Sequence, residues 1–365
     1  MFGIAKRHQA ALETAIGHAV DPATGLTITE TQARIRTSLE ADVATVSILL
    51  GYPPGDVAAL HSAVCEAIAA SQLQAGPVRI AHRIQVHAPQ PNVPPLARVR
   101  NVIAVGSGKG GVGKSTTAVN LALALHADGA RVGVLDADVY GPSIPTMLGL
   151  AGRPDSPDGK SILPMRAHGI EAMSIGLMVE ADTPMIWRGP MATSALTQLL
   201  NDTLWGGDEP LDYLIVDLPP GTGDIQLTLA QKIPVAGAVI VTTPQDIATL
   251  DARKALKMFE KVQVPVLGVI ENMAVHTCSQ CGHAEHIFGA GGGERMAQAY
   301  GIALLGSLPL EMAIREHSDA GVPIVVVDPS SPAAQAYARA ARRMAATLAC
   351  RPRASMPISA SLMAT

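Results

Sequence analysis

The sequence predicts an α/β protein: a doubly wound, mostly parallel sheet preceded by a small α+β unit. Three observations predict it. From residue 99 to residue 350, short apolar runs alternate repeatedly with helix-length segments across short turns. The chain is 48% hydrophobic but only 3% aromatic, so its apolar content is mostly Ala, Val, Leu and Ile. Such a composition suits parallel strands buried on both faces under Ala-rich helices. Finally, 365 residues exceed one ordinary core and point to two units.

Taken in order, residues 1–88 read as a helix at 8–19, a strand at 43–50, a helix at 56–71 and a strand at 78–87. Val78, Ile80, Ile84 and Val86 alternate on one face of the last strand. Val57, Leu60, Val64, Cys65 and Ile68 recur at helical spacing, which places Cys65 in a packing stripe. Pro89, Pro91, Pro94 and Pro95 make residues 89–98 an extended, semi-rigid linker. Residues 99–350 form the second unit. Its strands are expected at 102–106, 131–135, 213–217, 236–242, 265–270 and 303–308, and its helices at 114–128, 224–232, 246–261, 293–300 and 332–349. Ligands in such sheets bind at the carboxyl ends of strands. Residues 351–365, rich in Ser, Ala, Met and Pro, read as a disordered tail.

The net charge is −4, with 27 basic and 31 acidic residues intermixed. No Lys/Arg-rich block appears, so nucleic acid is not an expected partner. The longest apolar runs, such as Val235 to Val241, are far short of a membrane span, and membrane is not expected either. Lys6, Arg7 and His8 are followed by Glu13 with no long apolar stretch, so the start does not read as a secretory signal; a cytoplasmic location is expected. Four cysteines in a chain this long are no disulfide framework. Cys278 and Cys281 form a C-x-x-C pair, which points to metal or redox chemistry.

Between the strand at 102–106 and the helix from Ser115 runs Gly108-Lys-Gly-Gly-Val-Gly-Lys-Ser115, which satisfies the phosphate-loop pattern. Gly108, Gly110, Gly111 and Gly113 let the amides of this loop, through Val112 and on to Thr116, turn toward phosphate oxygens at a helix N-terminus. Lys114 would reach the β- and γ-phosphates of ATP, and the Ser115 hydroxyl would ligate Mg²⁺. Asp217 ends the strand 213–217 and is expected to hold a Mg²⁺-bound water. Gly221 and Gly223 follow it in a stretch free enough to sense the γ-phosphate.

An ordinary phosphate loop does not need Lys109. Gly-Lys-Gly-Gly-Val-Gly-Lys-Ser resembles the deviant loop of the nitrogenase-iron-protein, septum-site and plasmid-partition ATPases. That resemblance implies a slow ATPase acting as a face-to-face homodimer, with Lys109 crossing to the partner's nucleotide. It also implies that Asp138 positions or activates the attacking water, with Asp136 supporting the metal shell.

Five motifs, in order, carry a narrower resemblance over residues 99–327: the phosphate loop, Asp136-Ala-Asp-Val-Tyr-Gly-Pro-Ser143, Trp187-Arg-Gly-Pro-Met191, Asp217-Leu-Pro-Pro-Gly-Thr-Gly-Asp224, and Glu271-Asn-Met273 followed by Cys278-Ser-Gln-Cys281. Together they resemble the Mrp/ApbC-type iron–sulfur cluster carriers of the same superfamily. Asp21-Pro-Ala-Thr-Gly25 resembles the small iron–sulfur-assembly-type domain that precedes many bacterial members. The resemblance implies that Cys278 and Cys281 give thiolates to a cluster handed to apo-proteins, with assembly scaffolds as further partners, and that Asn272 lies at the adenine. Two thiolates are half of a [4Fe–4S] ligand set, so the motif favours a cluster bridging two chains. The alternative is a structural zinc knuckle completed by His276, His283 or His286, on a positioning ATPase.

Overall fold

A computed structural model describes residues 2–40, 42–178 and 189–354. The Trp187 and Arg188 of the Trp187–Met191 motif and residues 355–365 of the expected tail lie outside the described residues.

The second unit is built on a nine-stranded sheet among the described residues. Across it run strands 284–285, 266–277, 237–242, 99–107, 211–217, 132–136, 170–174 and 165–167, with 303–309 also pairing with 266–277. Pairing is parallel except at the two short edge strands, 165–167 and 284–285. Strands 99–107, 132–136, 211–217 and 237–242 are buried along nearly all their length, as the unbroken Val/Ile/Leu/Ala runs require. Helices 114–127 and 332–349 cover one face; 189–202, 224–232, 246–261 and 292–300 cover the other.

The front unit has a helix at Phe2–Gly17, strands at Arg34–Glu40, Val43–Leu50 and Gln74–His82, and a helix at Ala58–Ala70. Its sheet runs 34–40, 43–50, 74–82, antiparallel then parallel. Leu60, Val64 and Ile68 are buried as the helical spacing requires. Cys65 is not in that core: it lies half-buried at the helix surface, its Sγ 3.7 Å from His61 Nδ1. The last strand begins and ends earlier than the alternation suggested, so Ile84 and Val86 follow it.

The linker does not span open solvent. Gln90 is buried on the second unit, donating through Nε2 to the carbonyls of Ala230 and Ile233 at 2.9 and 2.7 Å. Its Oε1 accepts from the Val235 amide at 2.8 Å. Helix 332–349 also meets the front unit: Arg343 Nε donates to the Thr24 carbonyl at 3.2 Å, and Gln32 Nε2 to the Cys350 carbonyl at 2.7 Å. Buried side chains of the front unit, helix 114–127 and helix 332–349 form one continuous apolar cluster.

Candidate nucleotide site and thiol pair

The loop between strand 99–107 and helix 114–127 lies at the carboxyl edge of the sheet. Gly111 and Gly113 take φ of 79° and 77°, a region glycine enters without steric cost. A Cβ on Gly108 would meet the Asp251 carbonyl carbon at 2.1 Å, so the loop can seat on helix 246–261 only with glycine there.

Lys114 is buried at the head of its helix, and Nζ lies 2.6 Å from Asp217 Oδ1 and 3.9 Å from Asp138 Oδ2. Ser115 Oγ donates to the other oxygen of Asp217 at 2.5 Å. Asp217 has no exposed surface; burial pushes its carboxyl up, and Lys114 and Ser115 pull it back. Asp136 sits across the neighbouring strand from Asp217, in register, and is equally buried. Burial first, then the Asp217 charge, push Asp136 up to about 7. Its oxygens accept from the amides of Asp138 and Ile144 and from Ser174 Oγ, each at 3.1 Å. Asp136 therefore shapes the loop that carries Asp138.

A cavity of about 210 Å³ is lined by Lys109, Gly110, Gly111, Gly113, Lys114, Ser115, Thr116, Asp138, Ser143 and Pro220. The Lys109 side chain is half-buried at its rim, with no hydrogen bond or ion pair to any described residue. A second cavity of about 180 Å³ adjoins it through Gly113, Thr116 and Met147, lined also by Asn272, Met273, Leu310, Glu311, Arg315 and Tyr337. Asn272 Nδ2 donates to the Val112 carbonyl of the phosphate loop at 2.9 Å. The Pro309–Glu311 wall was not among the residues expected at the site. The signal was present, because the strand at 303–308 was expected and ligands gather where parallel strands end.

Strand 266–277 continues past the sheet into Cys278, and the chain returns through 284–285. The Cys278 amide donates to the His283 carbonyl and the Gly282 amide to the Cys278 carbonyl, both at 2.9 Å, closing a tight knuckle. Cys281 is exposed and Cys278 half-buried. The backbone amide of Cys281 foremost, then that of Gln280, holds the Cys278 thiol below its ordinary range. His276 Nδ1 lies 2.9 Å from the Leu310 carbonyl and His286 Nδ1 2.6 Å from that of Ala274. No group of three or more His, Cys, Asp or Glu side chains among the described residues could hold a metal ion. Cys278 lies six residues beyond Asn272, immediately after the strand that carries that asparagine.

A phosphate loop on a mostly parallel sheet, its lysine and serine meeting a carboxylate at the end of the neighbouring strand, defines a P-loop nucleoside-triphosphatase. The ParA family described as the NUBPL iron-transfer P-loop NTPases matches residues 98–345, and the chain belongs to it. It is 61% identical over 256 residues to an iron–sulfur cluster carrier protein of Pseudomonas fragi, covering 70% of this chain and 88% of the relative. Over 249 residues it is 53% identical to the mouse iron–sulfur cluster transfer protein NUBPL, covering 68% and 77%. Among solved structures, an Archaeoglobus fulgidus nucleotide-binding protein in complex with ADP is 37% identical, covering 65% of this chain and 91% of its own, with a TM-score of 0.56. The Pyrococcus furiosus cell-division ATPase MinD, at 22% identity and a TM-score of 0.50 over 67% and 98%, shares the fold.

Proposed function

We propose that this chain is an iron–sulfur cluster carrier: two copies hold one [4Fe–4S] cluster through Cys278 and Cys281, and slow ATP hydrolysis governs its delivery to apo-proteins. The observation that carries this reading is the exposed knuckle, which offers two thiols and no third ligand among the described residues. A four-iron cluster takes four thiolates, so cargo and dimer are linked. The iron–sulfur names of close relatives support the same cargo.

Lys114 holds Asp217 in this structure and is the group that turns to the β- and γ-phosphates when ATP enters. The glycine-loop amides hold the phosphate oxygens, and Asp138 orients the attacking water. Lys109, whose side chain has no partner among the described residues, would reach the second copy's nucleotide. Ser115 Oγ and the Asp217 carboxylate are hard oxygen donors already in contact and would hold Mg²⁺, which neutralises phosphate charge when bound. Asn272, Met273 and the Leu310 wall offer the base its pocket.

Anaerobic reconstitution with iron and sulfide tests the proposal. The expected product is brown, dimeric, and holds about one four-iron cluster per dimer. Cys278→Ala or Cys281→Ala should abolish colour and leave ATP binding, while His283→Ala should keep colour. A colourless product with one zinc per chain, released in His283→Ala, would sink the carrier reading in favour of a positioning ATPase with a structural zinc knuckle.

A further inference from the structure

The front unit carries a surface that the cluster reading does not use. One face of its sheet covers the helices; the other is open to solvent. Strand pairing sets Arg36 opposite Ser47, and Ser47 opposite Arg79, in one straight row across all three strands. Arg34 shares their face two residues before Arg36, and Arg83 follows two alternations after Arg79. All four arginines are exposed, and none makes a hydrogen bond or ion pair through its side chain with a described residue.

This clustering is not a consequence of bulk charge. Residues 1–88 hold six Lys/Arg against seven Asp/Glu, yet four of the six lie on this face. Glu40 is the face's one acidic strand residue, at the far end of its strand from Arg34. Neighbouring strands lie about 4.8 Å apart, which puts the Arg36 and Arg79 backbones about 10 Å from each other. Like charges so gathered repel one another, and an oppositely charged partner removes that cost. Leu49 lies in the next row, between Arg34 and Ala81. Arginine interleaved with aliphatic side chains suits a protein partner, since arginine and apolar contacts together anchor protein interfaces. A polyphosphate backbone would reward a wider basic field, which a unit with net negative charge lacks.

We propose that this open sheet face is a docking surface for an acidic, partly apolar protein segment, recognised by the Arg34, Arg36, Arg79 and Arg83 guanidinium groups. It lies on the front unit and is independent of the thiol pair, so it stands whatever metal the knuckle carries. The test uses the full chain and a fluorescein-labelled Glu-rich peptide with Leu at helical spacing, read by anisotropy at low and raised salt. Wild type should bind, with affinity falling as salt rises. The pair Arg36→Glu with Arg79→Glu should weaken binding at least about tenfold, and Arg36→Gln with Arg79→Gln should fall between. Both variants should melt with wild type and keep nucleotide binding. Equal peptide affinity in variant and wild type would overturn the proposal, as would no binding at low salt. Tighter binding of a single-stranded oligonucleotide of matched charge would overturn its choice of a protein partner.

Discussion

The side-chain amide of Asn272 donates to the main-chain carbonyl of Val112 at 2.9 Å, tying strand 266–277 to the crown of the phosphate loop. The contact is close: a Cβ on the neighbouring Gly113 would lie 2.2 Å from Asn272 Nδ2. Met273, next on the strand, takes a φ of 56° where the pairing with strand 303–309 shifts register. One short segment thus braces the loop, lines the second cavity and leads into Cys278.

Asn272→Ala should therefore weaken ADP binding by about tenfold, the scale of one buried hydrogen bond plus a lost pocket wall. Calorimetric titration checks it. Unchanged affinity would mean that the loop holds its shape without the brace.

Lys114→Ala should lower ATP hydrolysis by about a thousandfold, since the lysine meets charge that develops on the transferred phosphate. It also leaves Asp217 buried beside Asp136 with its ion pair gone, so the apo protein should melt lower than wild type. Lys109→Ala should not change the melting point, because the Lys109 side chain has no partner among the described residues. If the lysine crosses between copies, the same variant loses hydrolysis; wild-type turnover would exclude the crossing.

Asp136 gives a pH prediction. Its folded value is up at about 7, above an ordinary aspartate, so the folded protein binds a proton that the unfolded chain releases. Stability from this group is full below the unfolded value near pH 4 and is lost as pH rises through about 7, at no more than about 1.4 kcal/mol per unit. Urea midpoints of the apo protein should fall between about pH 4 and about pH 7 and level off above that, and Asp136→Asn should flatten that slope. An unchanged slope in Asp136→Asn would assign the effect to another group.

Much of this was legible because buried parallel strands are continuous apolar runs. The strands around Asp136, Asp217 and Gly106 were located to within three residues at either end, and the phosphate loop by its pattern alone. Strand 34–40 was missed because its polar Arg34, Arg36, Ser38 and Glu40 outnumber the core-facing Ile35, Thr37 and Leu39. Helix 189–202 was missed because it opens on Gly-Pro and carries Thr193, Ser194 and Thr197. The arginine row was invisible for a different reason: residues 36 and 79 become neighbours only once strand pairing and register are known.

The last prediction concerns the bond between the two units. The Pro-rich linker suggested that residues 99–350 stand alone, but helix 332–349 holds the front unit at several points. Arg342 makes a two-pronged ion pair with Asp128, at 2.7 and 2.8 Å, at the end of the phosphate-loop helix. Its guanidinium also lies so close to Gly55 that a Cβ there would meet it at 2.3 Å. A Cβ on Gly51 would sit 3.3 Å from that of Ala349. Arg342→Ala would strand the mostly buried Asp128 carboxylate and should cost about 2 kcal/mol in the full chain. A chain beginning at residue 99 should still bind ADP, because both cavity walls lie beyond that point. It should melt below the full chain, with the apolar flank of helix 332–349 bared to water. In that shorter chain Arg342→Ala should cost the same as in the full one if Asp128 is the main partner, and clearly less if Gly55 is. Equal melting of long and short chains would show that the shared cluster adds nothing to the stability of the nucleotide-binding unit.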